Sequence, residues 1–213
     1  MNQTAVRAAL LLAGCLSAAA TTVVDIDSQK YGCSQCSGPQ NVLPGTVLSD
    51  IYTPSLQLTL GPGTYTFTNG DPNGTDYYSA WNFNGYPTSG NWVWSFIVAN
   101  DANSTVLMDD YTGGIWSTQS GAANATAITT YDGNTVLSGT SAAGFIDHLT
   151  LGSTTTLDFF IDDYALGDNG GGVAVAISGS GAAPEPASWL LMGVAIAALL
   201  VIRRRRQGRT AAI

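Results

Sequence analysis

The run NWVWSFIVA, residues Asn91–Ala99, decides the fold class. Trp92, Trp94, Phe96 and Val98 recur at every second position, so an extended chain puts them on one face. Val93 and Ile97 fall on the other face. A period of two is that of a strand, and apolar residues on both sides describe a strand covered twice. Working outward, the same period returns in shorter runs. Leu56, Leu58 and Leu60 alternate within Ser55–Leu60, and Tyr65 and Phe67 alternate with Thr64, Thr66 and Thr68. Gly61-Pro62-Gly63 separates these two runs, and together they read as a β-hairpin. Tyr77–Phe83 reads as a strand with Trp81 in the core, and shorter strands are expected around Thr105–Met108, Ala125–Thr130 and Thr135–Gly139. Leu157, Phe159 and Ile161 point one way in Thr155–Ile161, as do Val173, Val175 and Ile177 in Val173–Ile177. Residues 25–45 read as an irregular segment, and Ser117–Ala127 fits neither period. Short strands separated by Gly, Asn and Asp turns predict an all-β domain, a β-sandwich of jelly-roll type.

Both ends carry targeting signals. The chain begins MNQTAVRAALLLAGCLSAAATT, with Arg7 as the one charge, an apolar run from Ala8 to Leu16, and small residues up to Ala20. That order is a secretory signal peptide cleaved after Ala20. Leu12-Ala13-Gly14-Cys15 also resembles the lipobox of bacterial lipoproteins, in which the cysteine becomes an acylated N-terminus, and this alternative stands beside the first. At the other end, Pro184-Glu185-Pro186 breaks regular structure, because two of its three residues lack a backbone N–H. The next 16 residues, Ala187–Ile202, carry no charge. As a helix they span roughly 24 Å, a little short of the ~30 Å hydrocarbon core of a bilayer. Arg203, Arg204, Arg205 and Arg206 follow and would hold that end on the cytoplasmic side.

Motif, apolar segment and arginine block in this order resemble the PEP-CTERM sorting signal of bacterial exported proteins. The resemblance implies recognition by a membrane-embedded exosortase, processing near Pro184–Pro186, and delivery to the cell surface or extracellular matrix. The expected organisation is a signal peptide at 1–20, an ectodomain at 21–177, a Ser/Gly/Ala linker at 178–183 and the sorting signal at 184–209, with its membrane helix at 187–202.

Composition then bounds what the ectodomain does. Residues 21–183 hold 14 Asp, no Glu and a single base, Lys30, for a formal charge of about −13. Such a surface repels phosphate backbones, which excludes nucleic acid. Asp suits turns and oxygen-rich cation sites, whereas Glu favours helices. Cys33 and Cys36 are the only thiols left after the signal peptide, and in an exported chain they are expected to close a small disulfide loop.

Asp162-Asp163, then Asp168-Asn169 before three glycines, bring four oxygen-bearing side chains into eight residues between two strands. Calcium takes six to eight hard oxygens in a flexible shell, and these four are the candidate metal ligands. The spacing is not that of an EF-hand. It resembles the calcium loop of galactose-binding-like jelly rolls and of small calcium lectins, which implies Ca²⁺ and a carbohydrate partner. The competing reading is a solvated acidic turn. Asp109-Asp110 before Tyr111-Thr112-Gly113-Gly114 reads as a second acidic turn. One histidine, His148, and no G-x-S-x-G elbow argue against nucleophilic catalysis, and the ectodomain is read as non-enzymatic. Two functions follow: a structural protein of the surface or matrix, or a calcium-dependent module that holds a polysaccharide. Trp81, Trp92, Trp94 and Trp116 are either its stacking platform or plain core, with core favoured for Trp92 and Trp94 by their alternation and Trp116 expected at the surface.

Overall fold

The computed structural model describes residues 21–36, 42–71, 76–84, 90–112, 114–125, 128–132, 135–140 and 142–179. The chain divides into two units, residues 1–181 and 182–213. Ala20, Cys15, the linker from Ser180, the Pro184–Pro186 triplet, the apolar segment and Arg203–Arg206 lie outside the described residues. Among the described residues no helix is long and apolar enough to cross a membrane.

The first unit is all-β, built from two six-stranded antiparallel sheets. In chain order the strands are β1 (Thr22–Asp27), β2 (Leu56–Leu60), β3 (Gly63–Asn69), β4 (Trp81–Asn82), β5 (Trp92–Val93), β6 (Ser95–Asn100), β7 (Thr105–Thr112), β8 (Ile128–Asp132), β9 (Thr135–Thr140), β10 (Ile146–Leu151), β11 (Thr155–Phe160) and β12 (Gly170–Gly179). A short helix α1 (Gln119–Ala123) and a 3₁₀ turn (Leu166–Asp168) complete the described elements. The first sheet runs β10-β3-β12-β4-β5, with β1 on the opposite edge of β12; the second runs β2-β11-β6-β7-β8-β9.

Four pairings are nested. β1 pairs with β12, β2 with β11, β3 with β10, and β6 with β7, all antiparallel. The chain is thus a long double-stranded ribbon turned back on itself, and its rolling is closed by β12 on β3 and β6 on β11. The pairs β4–β5 and β8–β9 are added to it at the sheet ends.

The core lies between the sheets. Tyr65, Phe67, Val173, Val175 and Ile177 face it from the first sheet, and Phe96, Val98, Met108, Leu157 and Phe159 from the second. Phe96 packs edge-on against Trp94 and Phe145 at centroid separations of 5.5 and 5.6 Å, and Trp94 and Phe145 meet at a tilt at 4.9 Å. Trp81 is fully buried, and its indole N–H donates to the Ser95 carbonyl and hydroxyl at 3.2 and 3.1 Å. The inward sets expected from Leu157, Phe159 and Ile161 and from Val173, Val175 and Ile177 are all in this core.

Three local expectations are corrected. Ser55–Leu60 and Thr64–Thr68 are not a hairpin: β2 pairs with β11 in one sheet, while β3 pairs with β10 and β12 in the other. Gly61-Pro62 is therefore the corner where the ribbon changes sheets. Asn91–Ala99 is likewise not one strand. It breaks at Trp94, giving β5 to the first sheet and β6 to the second. Trp94, Phe96 and Val98 share the inner face as alternation requires, but Trp92, on the far side of the break, is only half-buried. Of Tyr77–Phe83 only Trp81–Asn82 is strand.

The segment read as irregular has a definite task. Ile97, Ala99, Val106 and Phe160 form an apolar outer face on the second sheet, and Cys33, Cys36, Val42 and Leu48 cover it. Main-chain bonds hold the cover: Gly45 donates to Val106 O, Val106 to Thr46 O and Leu48 to Ser104 O, at 2.8–2.9 Å. Before it, β1 is a strand that alternation had not revealed. Cys33 and Cys36 form the expected disulfide, with Cα atoms 5.2 Å apart, inside this second core. Closing so small a loop removes chain entropy worth about 2 kcal/mol. Reduction is therefore expected to lower the unfolding free energy by about that amount in a urea titration. Superimposable curves with and without reductant would show the loop to be preorganised without the bond.

Candidate functional site

The chemistry worth following is that of the aspartates, because this domain has almost no cations to pair them with. Lys30 sits 2.7 Å from Asp27 at the surface. Yet Asp109, Asp110 and Asp162 are fully buried, and Asp147 nearly so.

Asp109 and Asp110 are the residues sequence reading misplaced. They are not a turn but the continuation of β7, opposite Ile97 and Phe96. Directly opposed residues in an antiparallel pair share a face. Ile97 belongs to the outer core under the Cys33–Cys36 cover, so Asp109 points there; Phe96 belongs to the inner core, so Asp110 points between the sheets. Asp147 on β10 is opposite Phe67, another inner residue, and so faces Asp110 from the other sheet. Alternation did not give the faces away, because a bulge opposite Val98–Ala99 puts Val106 on the outer face and Met108 on the inner one before the acids follow.

Burial sets their protonation. Enclosure pushes the Asp109 carboxyl up to about 8, and the nearby charge of Asp162 pushes the same way. Asp110 is raised well above the ordinary range, first by its complete burial, then by Asp147 and Asp109. Neither carboxylate oxygen of Asp109 or of Asp110 has a hydrogen-bond partner among the described residues.

The four residues expected to hold calcium part company. Asp162 follows Phe160 and Ile161 out of β11 and lies buried beside Asp109. Asp163 is buried at the next position, and its Oδ1 accepts from the Ala165 N–H at 3.0 Å. Its carboxyl is raised by burial, and hydrogen bonds from Ala165, Asn169 and Tyr164 oppose this. Asn169 is fully buried and donates through Nδ2 to the Ser28 carbonyl at 3.1 Å. Asp168 is exposed in the 3₁₀ turn. The structure thus joins Asp163 to Asn169, buries Asp162 near enough to Asp109 for their charges to interact, and leaves Asp168 at the surface. Among the described residues no three His, Cys, Asp or Glu side chains are gathered to hold a metal ion.

The three glycines that follow do not bend carbonyls inward toward a ligand. They let neighbouring strands approach β12. The Gly171 carbonyl accepts from the Ser28 N–H at 3.1 Å and from its hydroxyl at 2.9 Å, and the Gly172 N–H donates to Ala80 O at 3.2 Å. The loop is also tied to the cover, since the Cys33 N–H donates to Asp163 O at 3.2 Å.

Of the tryptophans, Trp81 and Trp94 are buried, while Trp92 and Trp116 are half-exposed and pair through mutual main-chain bonds of 2.9 Å. They lie against Ala80 and against Ala122 and Ala123 of α1, the helix formed within the stretch that fitted neither period. Thr64 meets Thr150 of β10 at 3.1 Å, and His148 stands exposed on the same edge strand.

No curated protein and no solved structure matches the chain. One family model does, over residues 182–206, which contain Pro184-Glu185-Pro186, the apolar segment and all four consecutive arginines. The model and the residues agree on order and position, and the chain carries the PEP-CTERM protein-sorting motif, the mark of an exported protein destined for exosortase processing.

Proposed function

We propose that the chain is a non-catalytic structural protein of the bacterial surface or extracellular matrix, held by a transmembrane helix over Ala187–Ile202 until an exosortase processes it. The match over residues 182–206 carries this reading. Arg203–Arg206 keep their end of the helix in the cytoplasm, so the β unit stands outside. The β unit is a jelly roll with two added strand pairs. Support for that comes from the nested pairs β1–β12, β2–β11, β3–β10 and β6–β7, since two interlocked Greek keys are a ribbon of eight strands rolled up in this way.

Support for a structural role comes from where the carboxylates are. Acid–base work on a polysaccharide needs two carboxylates that reach the sugar. Here the clustered acids Asp109, Asp110, Asp147 and Asp162 are shut inside the sandwich or under its cover, while Asp50, Asp76, Asp101 and Asp168 are exposed but far apart in sequence. Exosortase processing is tested by intact-mass spectrometry of surface-associated material, which should contain chains lacking Arg203–Arg206. Replacing Pro184, Glu185 and Pro186 with alanine should leave full-length protein in the membrane. If wild-type surface material retains the four arginines, the segment is a plain anchor and this reading fails.

A further inference from the structure

We propose that Asp109 and Asp162 bind one divalent cation, calcium by the chemistry of its ligands, beneath the Cys33–Cys36 cover on the outer face of the second sheet. Asp109 is 0% exposed, and both its carboxylate oxygens lack a hydrogen-bond donor among the described residues. Asp162, also 0% exposed, is close enough for the two charges to interact. A buried carboxylate is tolerated only when it is neutralised and its oxygens are satisfied. Lys30, the single Lys or Arg among the described residues, is 65% exposed and committed to Asp27.

A proton and a cation would serve this pair differently. One shared proton makes one O–H donor, and at least one Asp109 oxygen still has no donor. A cation between the carboxylates satisfies both Asp109 oxygens together. Two carboxylates with no free thiol nearby select a hard cation over zinc or copper, because Cys33 and Cys36 are in a disulfide. Calcium accepts a shell completed by main-chain carbonyls and water, and the Asp109–Asp162 pair leaves most of the shell to them. The site would join three parts of the chain. Asp109 belongs to β7, Asp162 follows β11, and the cover is bonded to the same stretch through Ile161 N–H to Tyr31 O and Cys33 N–H to Asp163 O.

The test uses the full chain in mild detergent, with calcium chloride, magnesium chloride or a chelator as the only variable. Calorimetric titration should give one calcium per chain. Melting temperature should rise by ~5–10 °C at a hundredfold excess over Kd, and less with magnesium. Asp109→Asn and Asp162→Asn should each weaken calcium binding more than ~100-fold, since losing even an outer-shell contact costs 10–100-fold. Asp109→Asn should melt in chelator no lower than wild type does in chelator, which separates lost binding from lost folding. Asp168→Ala, at an exposed position, should keep the whole calcium gain. A flat wild-type titration with coincident melts overturns the proposal, as does an Asp109→Asn chain that keeps the calcium gain. Loss of that gain in Asp168→Ala alone would overturn it too, by placing the ion in the Asp162–Asn169 loop.

Discussion

In chelator, the unfolding free energy should fall as pH rises above about 4, because the folded chain keeps a proton on Asp110 that the unfolded chain has already lost. The cause is geometric. Asp110 projects from β7 into the space between the sheets, beside Phe96 and facing Asp147 of β10. Water is excluded, and two charges there would repel each other through an apolar medium. Its folded pKa is therefore raised well above the unfolded value of about 3.9. The sign follows from proton counting. Between those two values the folded chain binds a proton on Asp110 and the unfolded chain does not, so stability decreases with pH. The contribution is complete below about pH 4 and is lost progressively as pH climbs toward the folded pKa. Asp109, pushed up to about 8, acts in the same direction until it too has ionised.

Asp110→Asn supplies the control. The amide has the shape of the protonated acid and cannot ionise, so the variant should lose its share of the slope. It should match wild type below about pH 4 and exceed it by a growing margin as pH rises. Urea titrations at several pH values measure this directly. A variant slope equal to that of wild type, or a wild type more stable at pH 8 than at pH 5, would mean that Asp110 is ionised inside the fold.

Gly171→Ala should cost about 3 kcal/mol, or roughly 6–12 °C in melting temperature for a domain of this size. Gly171 lies at φ +81°, where an L side chain is strained. A Cβ there would stand 2.5 Å from the Ala80 carbonyl and 3.2 Å from the Trp92 ring. The carbonyl belongs to main chain that β12 holds in place through the Gly172 N–H, so it cannot withdraw without breaking that bond. At Gly172 a Cβ would run into the Ile26 carbonyl of β1 and the Tyr78 ring, and alanine there should be at least as damaging. Gly167, four residues earlier in the same loop, has nothing within 4 Å of a Cβ, and Gly167→Ala should change stability by less than ~0.5 kcal/mol. Equal melts for the Gly167 and Gly171 variants would show that β12 has room the geometry denies.

The sequence by itself was enough for everything that depends on near neighbours. Alternation in Leu157–Ile161 and Val173–Ile177 put the right side chains inside, because the pleat makes facing a property of successive residues. Cys33 and Cys36, three apart, had little choice of partner. The sorting motif could be read directly because it is defined by the order of residues along the chain. Tertiary structure decided what depends on distant partners. Gly61-Pro62-Gly63 has the composition of a hairpin turn, yet β2 finds β11 about a hundred residues later and β3 finds β10 and β12. The run from Asn91 to Ala99 alternates without a sign of its break, because a change of sheet at Trp94 barely disturbs the period. Asp109 and Asp110 read as a turn in the sequence because two adjacent acids favour solvent. In β7 one faces Asp162 under a cover 60 to 75 residues upstream, and the other faces Asp147 across the sandwich. Alternation determines which way a side chain points but not what it meets there, and the meeting is settled only when the ribbon rolls up.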